Sequence, residues 1–225
     1  MKKKLKIIGI VPAKTPSTRL PNKNTKKFCR KSLISYSFEL LLSVDQINTI
    51  VCLTNDSSVK EIAGDYNIDI IDEPEHLLQA KECGELASYV LTQRKDFDVV
   101  ILTHPTFPMR TKRDILEAIN LINEGFDSAI GISEIPHIQW SGTLNNKVFK
   151  LDNVNDFRTP TQNLEKKYII NTAVFASTKE NIVDSKTFIN GKIGGVLVPQ
   201  YRNIDINNKE DFDTAEKLFK LYKGW

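Results

Sequence analysis

The sequence predicts an α/β fold of three layers, in which helices cover both faces of a mostly parallel sheet. Two observations carry this prediction. Short continuous apolar runs alternate along the chain with segments of helical periodicity, the pattern of strand–helix–strand units around a sheet buried on both faces. The chain has 225 residues, of which 40% are hydrophobic and 26% charged, so it can form one ordinary globular core. No composition shift marks a linker, and we predict a single domain over residues 1–225.

The first strand is predicted at Ile7–Val11, a continuous apolar run that ends at Pro12. Similar runs predict further buried strands at Thr49–Leu53, Ile68–Ile71, Val99–Thr103 and Ala129–Ile132. The segments between these runs have helical character, namely Ser32–Val44, Asp56–Tyr66, Glu82–Arg94 and Thr111–Glu124.

The alternation stops at residues 133–167, which are polar, rich in Asn and without helical periodicity. We predict a projecting β-rich excursion here, with a turn at Asn145–Asn146. An irregular segment of this length inside a domain is often functional. Strands return at Tyr168–Ala176 and Gly195–Val198, and a last helix is predicted from about Asn208 to Lys220.

Composition and charge exclude several classes of protein. The formal net charge of +3 is too small to indicate a nucleic-acid-binding surface by itself. No apolar run approaches the roughly 20 residues that span a bilayer. We therefore expect neither nucleic acid nor a membrane as a partner. The cysteines, Cys29, Cys52 and Cys83, have no metal-binding or paired spacing and suit a reducing compartment, which predicts a cytoplasmic protein.

The most informative segment is the basic loop, Lys14–Lys31, which follows the first predicted strand. It contains seven basic residues among 18 and no acidic residue. Ligands of open α/β sheets bind beyond the carboxyl ends of the strands, and cations spaced along such a loop would surround a triphosphate. A solvated basic loop is the alternative. Nucleic-acid binding is less favoured, because Phe28 is the only aromatic residue in the loop.

The segment Pro12–Asn24 resembles the signature loop of the cytidylyltransferases that activate acidic sugars, the acylneuraminate group and the related keto-deoxy-octonate group. Four further blocks resemble this family in the same order, at Val51–Asp56, Thr103–Arg110, Tyr168–Phe175 and Ile204–Asn207. The resemblance implies a Rossmann-like nucleotidyltransferase fold. It also implies transfer of CMP from CTP to an acidic sugar, a nonulosonate or similar, with release of pyrophosphate. A Mg²⁺ cofactor and a homodimer, in which residues 133–167 pack against the second subunit, are implied as well.

The same resemblance assigns roles to individual residues. The catalytic, phosphate-contacting residues are Lys14, Arg19 and Lys23. The residues expected to bind or shape the site for the nucleotide are Pro12, Ala13, Ser17, Asn24 and Glu73. Those expected to contact the acceptor sugar are His104, Arg158, Gln162 and Asn171. The metal would be held by Asp205 and Asn207.

Several of these positions depart from the family pattern. Asn207 replaces the second metal carboxylate, and an amide oxygen can still bind Mg²⁺ but adds no charge. Alternatively, Asn207 or Asn208 is simply the N-cap of the last helix. Glu73 occupies the position of an Arg near the nucleotide, and His104 that of a Gln facing the sugar.

These departures leave two other functions open. One is a related nucleotidyltransferase that uses another nucleotide or acceptor. The other is a degenerate homologue that binds the nucleotide without turnover. Because the exchanges cluster on the base and sugar sides, the acceptor is expected to differ from ordinary sialic acid.

Overall fold

The computed structural model of the chain describes residues 4–15, 17, 19–135, 142–145, 147–152, 160 and 163–223. Its strands are β1 (Ile7–Pro12), β2 (Lys27–Phe28), β3 (Lys31–Ser32), β4 (Ile47–Thr54), β5 (Asp69–Asp72), β6 (Val99–Leu102), β7 (Ser128–Glu134), β8 (Gly142–Asn145), β9 (Val148–Leu151), β10 (Tyr168–Thr178) and β11 (Ile193–Leu197). Its helices are α1 (Leu33–Leu42), α2 (Ser57–Asp65), α3 (Cys83–Gln93), α4 (Lys112–Asn123), α5 (Lys179–Ser185) and α6 (Lys209–Lys223). Short 3₁₀ helices lie at Glu75–Gln79 and Gln200–Arg202.

One seven-stranded sheet organises the chain, in the order β11-β7-β10-β6-β1-β4-β5. β10 is antiparallel to both of its neighbours, β6 and β7, whereas the other neighbouring pairs are parallel. This arrangement confirms the predicted α/β class with a mostly parallel sheet. The carboxyl ends of β1, β4, β5 and β6 therefore meet at one edge, where a ligand site is expected.

The side chains of β1 alternate between two apolar clusters, one on each face of the sheet. Ile7 and Val11 pack with the helices α1, α2 and α4 on one face. Ile8 and Ile10 pack with α3 and α5 on the other. Because β1 is buried on both faces, its sequence is apolar without interruption, which is the signal that predicts this strand.

An aromatic cluster fixes the end of the basic loop against α6. The ring of Phe28 lies edge-on to Phe212 and Phe219, with centroid distances of 5.4 and 5.3 Å. The hydroxyl of Tyr36 in α1 donates to the carbonyl of Phe28 at 2.9 Å. Edge-to-face pairs of this kind add about 0.5–1.5 kcal/mol each beyond burial. The loop is therefore anchored between α1 and α6 and is not a free solvated segment.

The predicted hairpin is present, because β8 pairs with β9 in antiparallel register, from Gly142 opposite Leu151 to Asn145 opposite Val148. That residues 133–167 project to a second subunit, and that residues 1–225 form one domain, stay predictions. Sequence periodicity missed α5 and the short β2–β3 ladder, since both are too short to establish a period.

Candidate active site

A cleft at the carboxyl end of β1 brings together most of the residues predicted to bind the nucleotide. It encloses about 240 Å³ between the basic loop and the segments after β6 and before α6. The predicted residues that line it are Pro12, Ala13, Lys14, Ser17, Arg19, Lys23, Asn24, His104 and Asn207. We call this space the anion cleft, because Lys14, Arg19 and Lys23 supply its charged side chains.

Lys23 is held in the anion cleft by the chain segment before α6. Its ammonium donates to the carbonyl of Ile206 at 2.9 Å. Burial lowers the pKa of Lys23, and the nearby carboxylate of Asp205 opposes this effect. A partly desolvated ammonium binds an anion more strongly than one in water, because the local dielectric is lower.

Arg19, Asn207 and Asp205 form a connected row at the edge of the cleft. The Arg19 guanidinium donates to the side-chain oxygen of Asn207 at 2.7 Å. The amide nitrogen of Asn207 donates in turn to Oδ2 of Asp205 at 2.9 Å. The other carboxylate oxygen of Asp205, Oδ1, is buried and has no hydrogen-bond partner among the residues that the structure describes.

Asn208 serves as the cap of α6, which separates the roles of the two neighbouring asparagines. Its side-chain oxygen accepts from the backbone N–H of Asp211 at 2.9 Å, and the Asp211 carboxylate accepts from the N–H of Asn208 at 3.1 Å. The same carboxylate accepts from the N–H of Asn207 at 2.8 Å. Capping is thus supplied by Asn208 and Asp211, and the Asn207 side chain is left for the cleft.

The donor set next to the cleft fits a lightly ligated Mg²⁺. Within the described ranges no group of three or more His, Cys, Asp or Glu side chains is gathered as a metal cage. Oδ1 of Asp205, unpartnered among the described residues, offers one anionic oxygen, and Asn207 offers an amide oxygen that Arg19 contacts. Magnesium commonly takes one or two protein oxygens and completes its shell with water and substrate phosphate.

The end of β4 fixes the first turn of the basic loop. The Asn55 side chain makes two hydrogen bonds with the backbone of Thr15, at 2.9 and 3.0 Å. Asp56 accepts from the Thr15 hydroxyl and also caps α2. The Thr54 hydroxyl donates to the carbonyl of Ala13 at 2.6 Å. These positioning residues lie in the block Val51–Asp56, whose resemblance to the family is visible in the sequence. The sequence does not indicate which groups they contact.

His104 lies where the anion cleft meets a second cavity of about 400 Å³. Burial, reinforced by the charge of Arg110, lowers the pKa of His104 to about 4. The imidazole is therefore neutral at pH 7. Its ring lies edge-on to Phe175, at a centroid distance of 6.1 Å.

Arg110 is a positioning residue that sequence reasoning did not single out. Its buried guanidinium donates to the carbonyl of Ala173 at 2.5 Å, to the Ser37 hydroxyl at 3.1 Å and to the carbonyl of His104. It thereby ties the turn after β6 to β10 and α1. The only available signal was the resemblance of Thr103–Arg110 to a family block, which does not indicate what the Arg contacts.

The second cavity contains Glu73 and is bordered by Lys14 and His104, which it shares with the anion cleft. The Lys14 ammonium donates to the carbonyl of Leu78 in the adjoining 3₁₀ helix at 2.9 Å. Burial raises the pKa of Glu73, an effect partly offset by Lys14. Predicted phosphate and nucleotide residues therefore lie on the wall between the two spaces.

Among the remaining predicted acceptor contacts, the structure describes Asn171, which lines neither space. Asn171 is buried in β10, where its amide donates to Ser133 at 2.9 Å and its carbonyl accepts from the N–H of Ala173 at 3.1 Å. Its side chain thus stabilises an irregular stretch of β10, and the neighbouring Thr172 lines the second cavity instead. Arg158 and Gln162 lie outside the described residues.

A family profile described as "Cytidylyltransferase" matches residues 8–221. The chain belongs to this cytidylyltransferase family. Its similarity to N-acylneuraminate cytidylyltransferase of Escherichia coli is 25% identity over 220 residues, which are 93% of this chain and 51% of that protein. CMP-N,N'-diacetyllegionaminic acid synthase of Legionella pneumophila is 25% identical over 232 residues, 96% of this chain and 97% of that one. Pseudaminic acid cytidylyltransferase of Campylobacter jejuni is 25% identical over 228 residues, with coverage of 96% and 97%.

This family member spans about half the length of the Escherichia coli relative but nearly the whole of the other two. Its fold is similar to that of a CMP:2-keto-3-deoxy-manno-octonic acid synthetase complexed with CTP, with a TM-score of 0.75 and 13% identity over 96% of this chain and 99% of that one. A 4-diphosphocytidyl-2C-methyl-D-erythritol synthase from Anaerococcus prevotii gives 0.69 at 13% identity, with coverage of 97% and 100%. These structural likenesses confirm the nucleotidyltransferase type of fold. Among the described helices of this cytidylyltransferase, none has the length and apolar character to cross a bilayer.

Proposed function

We propose that this protein transfers CMP from CTP to an acidic sugar of the nonulosonate class and releases pyrophosphate. The observation that carries the proposal is the anion cleft, which is lined by three cations of one loop and by Asn207, the hydrogen-bond partner of Arg19. The substrate class is supported by relatives named N-acylneuraminate cytidylyltransferase, CMP-N,N'-diacetyllegionaminic acid synthase and pseudaminic acid cytidylyltransferase.

The proposed reaction is attack by a sugar hydroxyl on the α-phosphorus of CTP, with pyrophosphate as the leaving group. Such a transfer needs positioning and neutralisation of charge more than covalent participation by the protein. Lys14, Arg19 and Lys23 would bind the phosphate oxygens and stabilise the charge that develops on the leaving group. Ser17 and Asn24 line the same cleft, and the Asn24 carbonyl accepts from the N–H of Ile34 at 3.0 Å, which fixes the loop to α1.

Mg²⁺ is the proposed cofactor, with Asp205 and Asn207 as the residues that would hold it. The buried Oδ1 of Asp205, which no residue in the described part of the chain contacts by a hydrogen bond, supports this assignment, because an anionic oxygen without a partner is unfavourable unless a cation or donor joins it. A bound magnesium ion would neutralise charge on the triphosphate.

His104 is the proposed contact to the acceptor hydroxyl. Its neutral imidazole has an acceptor nitrogen available at pH 7 and sits at the junction of the two cavities. A histidine at this junction would accept a hydrogen bond from the attacking hydroxyl without adding positive charge to the cleft.

The decisive experiment combines the purified protein with CTP, Mg²⁺ and a panel of nonulosonates and keto-deoxy octonate. Pyrophosphate release is measured and the CMP-sugar is identified by mass spectrometry. CTP-dependent release with one of these acids is the expected result. Absence of release across the whole panel, with correctly folded protein that binds CTP, would instead favour the second candidate function.

That second candidate is a nucleotide-binding homologue without turnover. The observation in its favour is that Asn207 replaces a carboxylate and that its side-chain oxygen already contacts Arg19. This alternative predicts CTP binding with no product, with or without Mg²⁺.

We also propose a homodimer. The strands β9 and β10 expose a set of large apolar side chains, Val148, Phe149, Tyr168, Ile169 and Ile170. Tyr168, Ile169 and Ile170 are consecutive in β10, and large exposed apolar side chains grouped in this way are typical of a protein interface. The cytoplasmic location expected from the sequence stays a prediction.

A further inference from the structure

Glu73 is a buried carboxyl group to which no described residue donates a hydrogen bond. The residue directly follows β5 and is only 5% exposed. Both of its carboxyl oxygens lack hydrogen-bond partners among the described residues. Leaving a carboxyl group in this state costs free energy of folding, because the water it loses is not replaced. A group held at such a cost is best explained by a ligand that supplies the missing hydrogen bond.

The surroundings of Glu73 suit a flat heterocycle with one polar edge. The second cavity is walled near Glu73 by the apolar side chains of Leu77, Ala80 and Leu86. Small-molecule sites commonly combine such apolar walls with a few converging polar groups that fix orientation. The carboxylate would accept a hydrogen bond from an amino group on the edge of the ring.

The position of Glu73 next to Lys14 favours the nucleotide over the acceptor as the ligand. Lys14 reaches the carbonyl of Leu78, in the 3₁₀ helix that follows Glu73, and also lines the anion cleft. Thr172 and Phe175, at the other end of the cavity, belong to β10, which β4, β1 and β6 separate from β5 in the sheet. A triphosphate in the anion cleft would therefore direct its base past Lys14 towards Glu73, and the acceptor would approach from the β10 side.

We propose that the Glu73 carboxylate accepts a hydrogen bond from the 4-amino group of cytosine and thereby selects CTP against UTP. Uracil carries a carbonyl oxygen at the same ring position, so the carboxylate would face another acceptor. Proteins that recognise cytosine commonly use a carboxylate that accepts a hydrogen bond from its amino group. This inference rests on the proposed nucleotide site, and it assigns to Glu73 the discrimination between the two pyrimidines.

The test measures nucleotide binding by calorimetry for wild type, Glu73→Gln and Glu73→Ala. Glu75→Gln is the matched control, since it makes the same chemical change at an exposed residue of the 3₁₀ helix that follows Glu73. The probes are CTP, UTP and the 2-pyrimidinone ribonucleoside triphosphate, which lacks the amino group. Wild type and Glu75→Gln should bind CTP about 10- to 100-fold more tightly than the other two. Glu73→Gln should reduce this preference to within about threefold, because an amide can rotate to offer either a donor or an acceptor.

The outcomes separate this inference from the proposed function. Binding of CTP by wild type with an unchanged preference in both Glu73 variants overturns the role of Glu73 and leaves the nucleotide site intact. A change confined to the KM of the acceptor overturns it as well, because Glu73 would then face the sugar. Failure of wild type to bind any of the nucleotides overturns both proposals. The comparison of the three nucleotides on wild type does not depend on the folding of any variant. If wild type binds all three equally tightly, the role of Glu73 is overturned as well.

Discussion

Arg19 and Asn207, 188 residues apart in the chain, are joined by a hydrogen bond of 2.7 Å between the guanidinium and the side-chain amide oxygen. The amide nitrogen of Asn207 continues the row to Asp205. An amide can make both contacts, because its oxygen accepts from the cation and its nitrogen donates to the carboxylate. A second carboxylate at position 207 would satisfy Arg19 but repel Asp205.

Asn207→Asp should therefore strengthen metal binding at a cost in stability. Two adjacent carboxylates attract Mg²⁺, and we expect its apparent Kd to fall about three- to tenfold. Without metal, loss of the hydrogen bond to Asp205 should lower the free energy of unfolding by about 1–2 kcal/mol. Titration calorimetry and urea denaturation with and without Mg²⁺ measure both effects. Asn208→Asp is the control, because Asp is an equally good cap for α6. Unaltered Mg²⁺ dependence in Asn207→Asp would remove position 207 from the metal site.

Lys23→Met should abolish most of the activity without unfolding the protein. The methionine keeps the unbranched apolar stem of the side chain but removes the ammonium that the Ile206 carbonyl orients into the anion cleft. By analogy with the loss of one transition-state donor, kcat/KM for pyrophosphate release should fall about 100- to 1000-fold. Lys27→Met, at an exposed residue of the same loop, should retain near wild-type activity. Equal activities for the two variants would contradict the assignment of Lys23.

His104 makes stability depend on pH. Its pKa is lowered from 6.5 to about 4 in the folded protein, so the unfolded chain binds the proton more readily between these values. The resulting stability is fully present above pH 6.5 and is lost as the pH falls through about 4. The full loss corresponds to roughly 3 kcal/mol.

The measurement is urea denaturation between pH 4.5 and 7.5 for wild type, His104→Gln and the exposed-site control His76→Gln. His104→Gln should flatten the profile relative to wild type, whereas His76→Gln should leave its slope almost unaltered. Parallel profiles for wild type and His104→Gln would show that His104 is not buried as a neutral group.

Arg110→Met should destabilise the protein substantially. It removes the partner of three acceptors, the carbonyls of Ala173 and His104 and the Ser37 hydroxyl, in a buried place. We expect a loss of about 2–4 kcal/mol in the free energy of unfolding, measured by urea denaturation. Arg113→Met, at an exposed residue of α4, should change it by less than about 0.5 kcal/mol. A small effect at Arg110 would mean that these acceptors find other donors.

Ile169→Asp should disrupt the proposed homodimer. It places a charge among the exposed apolar side chains of β10, where burial against a second copy would leave the carboxylate unpaired. Light scattering after gel filtration should give twice the chain mass for wild type and a single chain mass for the variant. Val183→Asp, at an exposed apolar residue of α5, should stay dimeric. A monomeric wild type at all concentrations would refute the proposal.

The sequence predicts the architecture well where local pattern and burial coincide. The run Ile7–Val11 is apolar throughout because β1 is buried on both faces, and this pattern is visible without knowledge of the fold. The basic loop that follows this strand likewise indicates an anion site without knowledge of the fold, because the number of charged residues in a segment is a local property of the sequence. The family resemblance extends along most of the chain and is confirmed by the profile over residues 8–221.

Local pattern could not decide between Asn207 and Asn208 as the cap of α6, because both precede the helix at plausible positions. The hydrogen bonds of Asp211 assign the cap to Asn208. Asn171 likewise resembles a substrate-binding strand residue in sequence, yet its amide is used within β10 and by Ser133. The antiparallel direction of β10 is a property of the sheet as a whole and leaves no periodic signal.

By itself, then, the sequence determined the layered sheet, the basic loop and the family, because strand burial and charge density follow from residues that are adjacent in the chain. Only the tertiary structure decided that Arg19 contacts Asn207, that Arg110 binds the carbonyl of His104 and that Glu73 has no hydrogen-bond partner among the residues the structure describes. Each of these depends on which distant side chains meet at the carboxyl edge of the sheet. A hydrogen bond forms only when donor and acceptor are placed to within a few tenths of an ångström of the right distance. Folding of the whole chain establishes those positions.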